Sequence, residues 1–281
     1  MCLMTKAGTV AKLMAPFVAM ALLASCGAGP SNVAVDRLSA REIYQRAEHE
    51  LGRGKPKEAA RYFGEIERLY PYSEWAKRSL IMQAFAYHRK KDYANSRAAA
   101  QRYLEFYPAD GDAAYAQYLI ALSYYDQIDD VGRDQGVTMN ALQALRKVIE
   151  NYPDSDYARS AVLKFDVAFN QLAAKEMEVG RYYLKKRHYA AAANRFRTVV
   201  EHFQTTEQTP EALYRLIECY LALGLDDEAQ TAGAILGHNF RSSPYYQDGH
   251  DLLRGRGLGP EARGNGWLAS LYRQVIRGEW L

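Results

Sequence analysis

Beyond residue 39 apolar and polar residues recur with a helical period, and no convincing run of strict alternation marks a strand. A shorter motif repeats inside that pattern. A small residue is followed by an aromatic three positions on and by a second small residue nine after that, as in Ala84, Tyr87, Ser96 and in Gly180, Tyr183, Ala192. Ala47 and Ala59 give a partial copy, and Ile217, Tyr220 and Ala229 keep the last two positions. Bulky residues usually follow, as in Phe63 and Ile66, Leu145 and Val148, and Phe196 and Val199. Small residues let two helices of a pair approach closely, and aromatic and bulky side chains fill the wedge between them. The pattern predicts five helix pairs, with second helices near residues 56–70, 92–107, 138–152, 188–203 and 226–238.

Three of these second helices end alike, on Tyr70-Pro71, Tyr107-Pro108 and Tyr152-Pro153. Proline restricts the residue before it and stops the helix, and a following Ser or Asp caps the next: Ser73, then Asp110 or Asp112, then Asp154 or Ser155. The prolines lie 37 and then 45 residues apart, against about 34 for a tetratricopeptide repeat. The fold expected is therefore all-α, a solenoid of about five tetratricopeptide-like pairs. Two stretches depart from the repeat. Residues 126–137 lengthen the inner loop of the third pair, either as a tolerated insertion or as a contact loop. Residues 156–187 lack Pro, and lack Gly before Gly180, which predicts one long helix joining two halves.

The tail differs in kind. Residues 254–266 hold five glycines with Arg254, Arg256 and Arg263, the composition of a flexible linker. Trp267, Leu268, Leu271, Tyr272, Val275 and Ile276 then share a helix face. That short amphipathic helix must cover its apolar side with its own solenoid, a partner protein or a lipid surface.

The N-terminus adds a compartment. Lys6 and Lys12 open the chain, a short apolar run follows, and it closes on Leu23-Ala24-Ser25-Cys26. The run is too short to span a bilayer, which takes about 20 apolar residues. A basic start, an apolar stretch and small residues before a cysteine read as a secretion signal ending in a lipobox, although an ordinary signal ending near a cysteine has the same outline. Cleavage before Cys26 leaves its thiol to carry lipid, and acyl chains at about 0.8 kcal/mol per buried methylene make such an anchor nearly permanent. Gly27 in place of Asp favours the outer membrane. The expected organisation is a signal peptide over 1–25, a lipidated linker over 26–38, and repeats over 39–155. A long helix with further repeats covers 156–253, and linker and helix cover 254–281.

Composition narrows the chemistry. The net charge of +3 gives no sign of a nucleic-acid binder. Of the cysteines, Cys2 leaves with the signal and Cys26 is lipidated, so Cys219 has no disulfide partner. The six histidines are scattered, and there is no metal-ligand spacing, nucleophile elbow or P-loop. Gly255, Gly257 and Gly259 follow no strand, and Pro260 breaks a dinucleotide pattern. The acid pairs Asp129-Asp130 and Asp226-Asp227 fit loops or helix starts better than catalysis. No catalytic residue, metal site or cofactor other than the covalent lipid is expected.

Several local markers together resemble the BamD family, lipoproteins of the outer-membrane β-barrel assembly machinery. They are the Tyr70-Pro71 end, Gln101-Arg102-Tyr103-Leu104 with Tyr107-Pro108, the insertion carrying Arg133-Asp134, and Asn151-Tyr152-Pro153-Asp154-Ser155-Asp156-Tyr157. Glu178 with Tyr182-Tyr183, and the helix start Ala193-Asn194-Arg195, complete the set. The resemblance covers about residues 17–240 and implies a non-enzymatic scaffold on the periplasmic face of the outer membrane. It further implies, as partners, a barrel-forming subunit with periplasmic domains, other assembly lipoproteins, and unfolded outer-membrane precursors. The same resemblance implies that the barrel subunit is met in part by the C-terminal repeats, where Arg195 matches the family's helix start, and that the N-terminal repeats receive the C-terminal targeting segment of the precursor.

The residues themselves converge on a groove. First helices of stacked pairs line the concave side. Counting from the small residue places Tyr44, Ile81, Phe85, His88, Tyr118, Leu122 and Tyr125 there, with Arg78 and Arg89 near enough to meet a terminal carboxylate. An aromatic groove suits an extended, aromatic-ended peptide. The same tyrosines also fit half-buried packing between neighbouring repeats. Two rival functions stay open: a pilotin-like or other envelope lipoprotein with the same repeats, and a peptidoglycan-active enzyme on a helical superhelix.

Overall fold

The computed structural model describes residues 35–264 and 266–275, and among these there is no strand. The signal, Cys26 and the start of the linker lie outside the described residues. After a short 3-10 turn at Val35–Arg37 come ten helices in five antiparallel pairs. They are α1 (Ala40–Gly52) with α2 (Pro56–Leu69), α3 (Glu74–Arg89) with α4 (Tyr93–Phe106), and α5 (Ala113–Tyr125) with α6 (Gly136–Asn151). The 30-residue α7 (Asp156–Lys185) pairs with α8 (Tyr189–His202), and α9 (Thr209–Leu223) with α10 (Asp226–Asn239). Each helix packs on the next, and the first helices also touch in series, α1 on α3, α3 on α5 and α5 on α7.

Two junctions are built the same way at each repeat. Second helices end on an aromatic residue with φ between −136° and −128°: Tyr70, Tyr107, Tyr152, Phe203 and Phe240. Only the first three precede proline, so the aromatic residue is the common element. After it a hydroxyl often links one helix to the next. Ser73 Oγ donates to the Tyr70 carbonyl at 2.8 Å and accepts from the Ala76 N–H at 3.1 Å, and Ser155 does the same between Tyr152 and Ala158. Within four pairs the hairpin turns through a residue at positive φ: Gly54 (72°), Lys91 (62°), Arg187 (61°) and Gly224 (75°). The third pair instead uses the lengthened loop, which rests on α7 through the Lys175 ammonium on the Gly132 carbonyl at 3.1 Å.

Small residues mark the closest crossings, as expected. Ser96 Oγ donates to the Ala84 carbonyl at 2.9 Å across α3 and α4. A methyl group at Gly180 would lie 2.4 Å from a ring carbon of Phe196, which is itself fully buried. The core runs as clusters along the solenoid axis, each shared by adjacent pairs.

The C-terminal end corrects two expectations. An eleventh helix, α11 (Pro244–Arg254), packs on α9 and α10; the sequence reading held no separate helix there. The segment expected to be a flexible linker is bound to α10. Gln230 donates to the Gly259 carbonyl at 3.0 Å, and Thr231 Oγ1 accepts from the Arg263 N–H at 3.0 Å, with its one proton in reach of the carbonyls of Asp227 at 2.8 Å and Arg263 at 2.9 Å. The buried Gln230 amide finds its partner in the strap, and Thr231 ties the strap's Arg263 N–H to α10. It leads to α12 (Trp267–Val275), whose Leu268 is buried against the solenoid end. Trp267 Nε1 donates to the Tyr220 hydroxyl at 3.2 Å, and Arg197 lies 4.7 Å over the indole. Of the three possible covers for the amphipathic helix, its own solenoid is the one seen.

Candidate peptide-binding site

The inner face of the N-terminal half is built from α1, α3, α5 and the first turns of α7. Tyr44 on α1 sets its ring 5.3 Å from Phe63 and 5.0 Å from Trp75, and Arg78 lies 5.7 Å over Trp75. Phe85 on α3 carries Arg89 at 5.8 Å. His88 Nε2 stands 3.1 Å from Asp126 Oδ2, with its ring 5.5 Å from Tyr93. Tyr118 on α5 packs 5.4 Å from Tyr157, which also meets Tyr115 at 5.2 Å. Leu122 and Tyr125 are half-buried one turn further along, with Lys164 Nζ 5.1 Å over the Tyr125 ring.

Most of the expected groove residues are thus half-buried side chains on first helices, each braced by a neighbouring ring or charge. Ile81 is the exception. It is 5 % exposed and belongs to the core between the second and third pairs, so it offers no surface to a ligand. The count from the small residue placed it one step too far round α3, where the contact with α5 closes over it. Trp75, Tyr115 and Tyr157 belong to the face and were not in the sequence-derived set. Trp75 lies outside the stretch over which the small-residue register was counted, and Tyr157 sits on α7, which has no partner motif at that end. Burial raises the hydroxyls of Tyr44, Tyr118 and Tyr157, and pushes Tyr115 up to about 12, so these phenols stay neutral. The face is apolar and aromatic, and its cations Arg78, Arg89 and Lys164 lie against rings, where their charge remains open to solvent or a carboxylate.

Arg195 lies elsewhere, on α8. It is 45 % exposed and its guanidinium meets Glu176 on α7 at 3.1 Å. A stronger network that the sequence did not reveal joins α7, α9 and α11. Glu211, 7 % exposed, takes Arg181 through two bonds of 2.9 and 2.6 Å, the Arg215 Nε at 3.4 Å and the Tyr245 hydroxyl at 3.2 Å. The Arg181 hydrogen bonds hold the Glu211 carboxyl below its ordinary range. Nothing in helical periodicity announces a pair 30 residues apart on helices that are not consecutive.

A family model described as an outer membrane lipoprotein, YfiO, matches residues 36–235, from the start of the solenoid into α10. The chain belongs to the YfiO family. Outer membrane protein assembly factor BamD of Caulobacter vibrioides is 47 % identical over 218 residues, covering 78 % of this chain and 72 % of that protein. The BamD of Rickettsia prowazekii is 40 % identical over 204 residues, covering 73 % and 81 %. Among solved structures, the TPR2AB domain of yeast Sti1 covers 85 % of this chain and 92 % of that chain, a loose likeness at TM-score 0.40 and 12 % identity. The strap and α12 lie beyond the stretch matched by the YfiO model.

Proposed function

We propose that this chain is a binding scaffold of outer-membrane protein assembly, held at the periplasmic face of the outer membrane by lipid on Cys26. The membership in an outer membrane lipoprotein family and the two assembly-factor relatives support that role. The half-buried rings of Tyr44, Trp75, Phe85, Tyr118 and Tyr157 on the first helices α1, α3, α5 and α7 are the observation that carries its mechanism. An extended, aromatic-ended precursor segment lays rings on that face at low rotamer cost, while Arg78 or Arg89 takes the terminal carboxylate. Leu122, Tyr125 and His88 extend the same surface. The C-terminal half takes the periplasmic domains of the barrel-forming subunit, with Arg195 exchanging Glu176 for an acid of the partner. Other assembly lipoproteins complete the complex. The chain itself makes and breaks no covalent bond.

Depletion of the protein followed by a census of folded porins tests the role: folded barrels fall together while periplasmic soluble proteins persist. Unchanged barrel levels reject it. For the face, Phe85→Ala with Tyr118→Ala lowers photo-crosslinking to precursor C-terminal peptides by about tenfold, since each truncation removes roughly 1 kcal/mol or more of contact. Full crosslinking in a variant of normal helicity rejects the assignment. For the anchor, Cys26→Ala moves the protein out of the outer-membrane fraction, and normal fractionation of that variant argues against lipidation.

A further inference from the structure

A second concave site lies at the opposite half of the molecule, where α7, α9 and α11 end together. It is an open pocket of about 400 Å³. Leu184, Leu221 and Leu252 give it an apolar floor, and Lys185, Arg187 and Arg256 stand around it. Among the described residues none of these three cations makes an ion pair or a side-chain hydrogen bond. Lys186 and Arg254 adjoin them in the chain and are exposed. The one acid in the lining, Glu218, is already neutralised by Arg215 NH1 at 2.7 Å. Asp251, nearby on α11, is 62 % exposed, meets the Gln247 amide at 3.5 Å, and is not part of the lining.

Cations at helix C-termini often serve only the helix dipoles. Three C-termini supply about half a negative charge each, which does not balance five cations. The start of α8 at Tyr189, on the pocket edge, adds positive potential rather than removing it. The repeat itself offers an internal comparison. The turn Lys90-Lys91-Asp92 in the second pair has the same backbone as Lys186-Arg187-His188 in the fourth: the third residue's N–H bonds back to Tyr87 or Tyr183 at 2.9 and 3.0 Å. In the second pair Asp92 caps α4 and takes Lys90 at 3.3 Å. In the fourth His188 stands there, α8 has no side-chain cap, and Lys186 lacks the partner that Lys90 has, while Lys91 and Arg187 make no ion pair in either turn.

We propose that this pocket binds an acidic polypeptide segment with apolar anchors, carboxylates meeting Lys185, Arg187 and Arg256 while a leucine or aromatic ring enters between Leu184 and Leu252. Leu252 is 37 % exposed and Leu221 5 %, so the apolar lining offers an inserted side chain both an open edge and a buried contact. The site is separate from the aromatic face of α1–α7 and stands or falls apart from it.

Fluorescence anisotropy with the full chain in detergent and a labelled Asp-Leu-Glu-Phe-Asp-Leu-Glu peptide tests the assignment. The peptide binds, salt weakens it, and a version with lysines for the acids does not bind. Lys185→Glu with Arg256→Glu weakens it by about tenfold or more, whereas Lys57→Glu with Lys147→Glu, the same charge change at remote exposed positions, leaves it within about twofold. Leu252→Ser costs about threefold through the lost apolar contact. Phe85→Ala with Tyr118→Ala leaves it unchanged, which separates this site from the precursor face. No binding by the unaltered chain at low salt, or equal loss in the remote-charge variant, overturns the proposal. So does glycerol 3-phosphate displacing the peptide beyond the effect of ionic strength, which assigns the pocket to a lipid headgroup.

Discussion

Lys91 and Arg187 hold a left-handed backbone that costs a side-chain-bearing residue about 1–2 kcal/mol. The two other hairpin turns of the same shape use Gly54 and Gly224. Lys91→Gly therefore stabilises the protein by about 0.5–1 kcal/mol, offset in part by the looser unfolded chain, and a rise in the chemical denaturation midpoint checks it. The opposite exchange is unfavourable at Gly180. A methyl there meets Phe196, a fully buried ring with nowhere to move, so Gly180→Ala destabilises by about 1–3 kcal/mol. A denaturation midpoint equal to that of the parent chain rejects the close crossing. The small-aromatic-small spacing made this second site legible, because a small residue where two helices cross leaves a mark at fixed intervals. The first was not, since a lysine in a turn looks like any solvated lysine. Ile81 failed for a related reason: a face counted on one helix does not show which neighbour covers its edge.

At the level of helices, the second members of the pairs came out close to where periodicity placed them, α2 at 56–69 against 56–70 and α8 at 189–202 against 188–203. Each ends on local chemistry, an aromatic stop, and Ser73 and Ser155 then cap the first helices that follow two of them. The strap was misjudged because glycine content reports freedom in the unfolded chain, while Gln230 and Thr231 hold it on α10. Charge pairing between helices was invisible for the same reason. Glu211 has its carboxyl depressed by Arg181, so its contribution is complete above the ordinary glutamate range near pH 4.5 and fades as the pH falls below it. Glu211→Gln lowers stability at pH 7 by about 1–2 kcal/mol, less than for a wholly buried pair because Arg181 is half in solvent. It also flattens the acid limb of the stability–pH curve. An unaltered limb in urea titrations between pH 5 and 3 counts against the network. Asp110, pulled down to about 2 by Lys77 and Tyr103, adds a second step at still lower pH that this variant retains.

Across the whole molecule, cohesion passes from each pair to the next, as expected of a quasi-one-dimensional array. Removing residues 256–281 uncovers α10 and the Tyr220 hydroxyl, so the loss concentrates at that end. Hydrogen exchange of the shortened chain shows faster opening of α9 and α10 with α1–α6 unchanged; uniform loosening throughout contradicts a local cap. The solenoid was readable because its repeat is written many times over, whereas each binding surface is written once and depends on which faces the stacking leaves uncovered. The 30 residues of α7 belong to both halves, pairing with α5 and α6 at one end and with α8 at the other. At 1.5 Å per residue that is a rod of about 45 Å. A partner gripping the C-terminal hairpins therefore meets whatever lies in the N-terminal concavity at a set distance and bearing, with no hinge to absorb error. Lengthening α7 by two residues swings one half through roughly 200° around its axis, enough to point the two ligands away from each other while leaving both sites intact.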